Sequence, residues 1–77
     1  MWTVKELISF LDRKGISTSS YGIYEEKNEA FCLQKSGEEW VVYYSERGNR
    51  NELGWGKTEA QALDILKLFL LESHKKI

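Results

Sequence analysis

The chain has 77 residues, eleven Lys or Arg, twelve Asp or Glu and a net charge of −1. That length is one domain, residues 1–77, with little surface to bury, and the single cysteine, Cys32, excludes a disulfide framework to support it. The longest apolar run, Leu68 to Leu71, is far short of the ~20 residues of a membrane helix, and the Met1-Trp2-Thr3-Val4-Lys5-Glu6 start has no secretory pattern, so the expected location is cytoplasmic, away from membranes.

The first predicted element is a helix over residues 3–14. Thr3 and Glu6 have capping-box spacing, with Trp2 and Leu7 placed as a hydrophobic staple. Val4, Leu7, Ile8 and Leu11 share one face. Arg13 and Lys14 favour the negative helix end, and Gly15 followed by Ile16 fits a Schellman ending. Residues 16–20, rich in Ser and Thr, then form a connector.

Residues 21–26 read as a strand, Lys27-Asn28 as a turn, residues 29–35 as a second strand and residues 39–46 as a third, dense in Trp, Val and Tyr. A two-residue turn at Ser36-Gly37 pairs Lys35 with Glu38. Alternation then sets Phe31, Leu33, Trp40, Val42 and Tyr44 on one face and Cys32, Gln34, Val41, Tyr43 and Ser45 on the other. The first set is more apolar and is assigned to the core, with Trp40 and Val42 beneath both helices. A one-residue slip would mix the two sets.

Residues 47–52 read as a polar loop and residues 53–57, with two glycines, as at best a short edge strand. Thr58 and Gln61 have capping spacing for a second helix running to about Glu72, and residues 73–77 read as a frayed basic tail. The predicted fold is α+β, in the order α-β-β-β-α. It is a three-stranded antiparallel meander with room for a fourth edge strand, both helices covering one face and the other face open.

Nothing in the pattern assembles catalytic chemistry, so an enzyme is not expected and no metal or other cofactor is implied. Zinc needs several Cys and His at fixed spacing, whereas Cys32 and His74 are single and distant in sequence. Glu25-Glu26 and Glu38-Glu39 alternate across a strand or fall in a turn rather than converging on one pocket. Gly54-Trp55-Gly56-Lys57-Thr58 lacks P-loop spacing. The topology matches double-stranded RNA-binding domains, but Lys57 is followed by Glu59 where such domains cluster lysines. Residues 25–52 hold seven acids against four bases, a net −3, while each flank is +1. That distribution disfavours nucleic acid and suits a basic protein partner.

Two segments carry a family resemblance. Asn28-Glu29-Ala30-Phe31-Cys32-Leu33 and Trp40-Val41-Val42-Tyr43-Tyr44-Ser45-Glu46-Arg47-Gly48 resemble paired strands of small bacterial immunity proteins from polymorphic toxin systems, and Thr58-Glu59-Ala60-Gln61-Ala62 is similar to the opening of their last helix. The resemblance runs from Tyr21 to about Leu71. It departs at residues 53–57, where Gly-Trp-Gly-Lys replaces the family's phenylalanine before the cap. It implies a protein that binds and neutralises a cognate toxin. The acidic middle adds the expectation of a basic toxin, such as a nuclease domain. Candidate partner-binding residues are Tyr24, Glu38, Glu39, Val41, Tyr43, Glu46 and Arg47, with Tyr43 foremost because alternation puts it on the open face. Glu46 and Arg47 also read as residues that end the strand and turn the chain. A small RNA-binding or regulatory module, and a homodimer or larger homo-oligomer joined through the open sheet face, are the alternative readings.

Overall fold

A computed structural model describes residues 2–75. In chain order the elements are α1 (Val4–Arg13), a short 3-10 turn (Thr18–Ser20), β1 (Tyr21–Ile23), β2 (Ala30–Ser36), β3 (Glu39–Glu46), β4 (Asn49–Gly56) and α2 (Glu59–Lys75). The four strands form one sheet in the order β1-β2-β3-β4. The fold is α+β, with an antiparallel meander and both helices on one face.

α1 forms as its end signals dictate. The Glu6 amide donates to Thr3 Oγ1 at 3.2 Å, and the Thr3 amide donates to Glu6 Oε1 at 3.0 Å, completing the capping box. At the other end Gly15 takes φ +77°, so that Ile16 N–H reaches Leu11 C=O and Gly15 N–H reaches Asp12 C=O, both at 3.0 Å. α2 opens with Gln61 N–H donating to Thr58 Oγ1 at 3.2 Å, while Gln61 Oε1 accepts from Lys57 N–H rather than from the cap residue itself. The helix continues past the expected end at Glu72 to Lys75, so residues 73–75 are helical; residues 76–77 of the expected tail lie outside the described residues.

The β2–β3 register differs from the expected one by two positions. Ser36 pairs with Glu39 and Lys35 with Trp40, so the turn is Gly37-Glu38. A shift of two preserves alternation, and the facial assignment survives it. Leu33 and Val42 are fully buried beneath the helices with Leu7, Leu11, Leu63, Leu66 and Leu70. Trp40 is only half-buried, packed at the margin of this layer.

Three features depart from the sequence reading. β1 pairs parallel to β2, with Tyr21 beside Phe31 and Ile23 beside Leu33. A parallel return ordinarily needs a long crossover. Here the paired stretch is three residues, roughly 10 Å long, which the loop 24–29 can retrace. Tyr24 (φ +61°) and Glu29 (φ +56°) reverse the chain at the two ends of that loop.

β4 is a full eight-residue strand, not a polar loop followed by a short edge. Arg47 (φ +51°) and Gly48 (φ +83°) make a two-residue turn with both central residues left-handed, the geometry that matches hairpin twist. The pairing then runs from Glu46–Asn49 to Trp40–Gly56, with Leu53 as the extra residue of a bulge opposite Val42/Tyr43. Gly56 lets α2 cross closely here, since a Cβ on it would sit 2.7 Å from Ala62 N.

The third departure is the face opposite the helices, which is not open. Ala30, Cys32, Val41 and Tyr43 form a second buried cluster there, and Ser45 is buried beside them. The loop 24–29 folds over part of that face: Lys27 N–H donates to Cys32 Sγ at 3.5 Å, and Asn28 Oδ1 accepts from Arg47 N–H at 2.8 Å.

Candidate functional site

The structure does not gather the seven sequence-predicted residues onto one surface. Tyr43 is 1 % exposed, so it cannot offer its ring on an open face; Val41 is 6 % exposed. For Tyr43 the reason is the covering loop. Tyr43 Oη donates to Glu26 Oε1 at 3.1 Å, and the same carboxylate oxygen takes Arg50 Nε and Nη2, both at 2.7 Å. The Arg50 guanidinium also lies over the Tyr43 ring, 4.7 Å from its centroid. Burial pushes the Tyr43 phenol up to about 12; the neighbouring Gln34 amide opposes that rise and the Glu26 carboxylate reinforces it.

Tyr24 stands on the helix side. It is half-exposed, donates from Oη to Glu59 Oε2 at 2.6 Å and accepts from Trp40 Nε1 at 2.7 Å. Its pKa is raised, by burial first and by the Glu59 hydrogen bond second. Glu38 lies in the β2–β3 turn and Glu39 at the start of β3, both exposed. Glu46 and Arg47 are exposed at the opposite end of β3, ~24 Å away along an extended strand of that length. The Arg47 backbone serves the turn, as the strand-ending reading of Glu46 and Arg47 expects.

What the sequence reading missed is Trp55. It is 44 % exposed on β4, directly opposite Val41 in the register, on the face away from the helices. Its indole N–H donates to Glu52 Oε1 at 3.2 Å. Alternation sets Glu39 on the same face, two residues along β3 from Val41. Trp55 thus stands as a single exposed ring beside the buried Val41, with carboxylates at Glu39 and Glu52 around it, on the part of the face that the loop 24–29 leaves free. Two glycines flanking a tryptophan were the available signal. With Gly54 and Gly56 turned toward α2, a tryptophan between them must face away from it.

Among the described residues no group of three or more His, Cys, Asp or Glu could hold a metal ion, and no helix is long and apolar enough to cross a membrane. No family model, curated protein or solved structure matches the chain.

Proposed function

We propose that this domain is an immunity protein that neutralises a cognate bacterial toxin by binding it in the cytoplasm. The sequence resemblance over residues 21–71 supplies the functional class. The observation that carries a binding role is Trp55, the largest of the exposed apolar side chains, a ring left 44 % exposed on the sheet among carboxylates. Tryptophan is among the residues that dominate binding energy when a partner desolvates it. It also falls where the chain departs from the family motif, the kind of position suited to a partner-specific contact. The surrounding Glu39 and Glu52 favour a basic partner, such as a nuclease domain, and would repel an RNA backbone.

Co-expression with the toxin domain encoded beside it, together with measurement of complex formation, tests this reading. The unmodified protein protects the cell, and Trp55→Ala weakens the complex about 30-fold or more while the domain stays folded. Glu39→Lys with Glu52→Lys slows association and removes its salt dependence. Absence of protection by the unmodified protein would refute the toxin reading; full protection by Trp55→Ala would refute this surface. Tyr43→Ala is not a test of the interface, because the ring is buried and its loss would unsettle the fold.

A further inference from the structure

β4 is the open edge of the sheet, and Asn49, Arg50, Asn51 and Glu52 on it are all exposed. α2 approaches the other half of the strand, at Gly54 and Gly56. The Glu46–Asn49 pair closes a two-residue hairpin, and such a closing pair exchanges both of its backbone hydrogen bonds. Alternation then turns the N–H and C=O of Arg50 and Glu52 away from β3, toward solvent. A free edge of this kind accepts another strand. We propose that its occupant is a second copy of this chain, paired antiparallel about a two-fold axis at Asn51.

Charge selects both the partner and the register. A two-fold axis perpendicular to the sheet brings together residues of the same face. Centred on Arg50, it would set Arg50 against Arg50. Centred on Glu52, it would set Glu52 against Glu52. Centred on Asn51, it sets Arg50 of each copy opposite Glu52 of the other, twice. Like charges directly opposite one another destabilise a strand pair and opposite charges stabilise it, so the exposed stretch complements itself in the Asn51 register. The backbone agrees, because the groups that face outward at Arg50 and Glu52 then meet one another. The side chains have capacity for the contact. Arg50 uses Nε and Nη2 on Glu26, and Glu52 uses Oε1 on Trp55, leaving Arg50 Nη1 and Glu52 Oε2 without a partner among the described residues. The assignment does not depend on the toxin reading. It would join two four-stranded sheets into one continuous surface, with both Trp55 rings on the same side.

Sedimentation velocity on the full chain tests it, over roughly 0.01–1 mM, the range a small interface requires. The unmodified protein forms a dimer with rising concentration. Arg50→Glu and Glu52→Arg each place like charges opposite one another twice and weaken the dimer about ten-fold or more. An equimolar mixture of the two variants restores it, because one copy then carries acids at both positions and faces a copy that carries arginines at both. That recovery separates an interface effect from any local effect of losing the Glu26 contact. Asn51→Cys gives a cross-linked dimer on oxidation, since the axis sets the two side chains opposite at a spacing a disulfide can bridge. A monomer across the whole range, a dimer indifferent to the charge exchange, or no cross-link at position 51 would each overturn the proposal. So would a chain that is monomeric alone and pairs this edge only with a different protein.

Discussion

The two faces of the sheet are both buried, but by different means. On the helix side, leucines from α1 and α2 meet Leu33 and Val42 in a layer built from apolar side chains. On the far side, Tyr43 and Cys32 are covered by a six-residue loop held through one carboxylate, a cysteine sulfur and an asparagine side chain. The first face draws its stability from apolar area, which is non-directional and tolerant of shifts. The second depends on directional contacts, which fail when a single partner is removed or changes charge. The difference shows where a small domain can leave binding surface. The helix side buries its leucines between the sheet and the helices and leaves Leu68 and Ile8 exposed on the helices, whereas on the far side the loop covers one part of the face and leaves Trp55 exposed on the other.

The largest effect should come from cutting the helix-side layer. Leu66 is fully buried, and Leu66→Ala should cost about 2–5 kcal/mol in urea or guanidinium unfolding. A near-neutral result would mean that the layer repacks freely and that the contrast between the faces is overstated.

Alkali probes the other face. A phenol whose folded pKa lies above its ordinary value of 10 stabilises the fold in its neutral form. That contribution is whole below pH 10 and is lost as pH rises toward about 12, the folded value for Tyr43. The loss is on the order of a few kcal/mol when complete, and Tyr21 and Tyr24, both raised, act in the same direction. Stability measured between pH 9 and 12 should therefore fall, and Tyr43→Phe should fall less steeply. Equal slopes for the two proteins would place the titration elsewhere.

At neutral pH, Tyr43→Phe removes the hydroxyl and with it the bond to Glu26, and should cost about 1–2 kcal/mol. Glu26→Gln keeps an acceptor for Tyr43 and loses the exposed Arg50 ion pair, and should cost less than about 1 kcal/mol. Reversal of that order would make the ion pair, not the tyrosine hydrogen bond, the main fastening of the loop.

Much of the fold was legible from pattern because alternation survives an error of two residues. Leu33 and Val42 were placed correctly although their pairing partners were not. The capping box at Thr3 was legible because its two hydrogen bonds are local. β4 was hidden because Asn49, Arg50, Asn51 and Glu52 are poor strand formers that pair only once the Arg47-Gly48 turn brings them alongside β3. The parallel β1 was hidden by its brevity, which removes the need for a crossover helix. For the site, alternation identified the face that carries Tyr43, but not what lies on it. Covering depends on the path of the loop 24–29, which is set by contacts distant in sequence. Trp55 went unassigned because its strand was read only as a possible short edge, without a register to set which way the ring faces.

The most direct measurement compares two exposed apolar side chains on opposite sides of the molecule, Trp55 at 44 % and Leu68 of α2 at 56 % exposure. The toxin domain encoded beside this chain is titrated by calorimetry into the unmodified protein, Trp55→Ala and Leu68→Ala. Trp55→Ala is expected to weaken binding about 30-fold or more, and Leu68→Ala to leave it unchanged. Loss of binding in Leu68→Ala with full affinity in Trp55→Ala would contradict a Trp55-centred interface and move it to the helices.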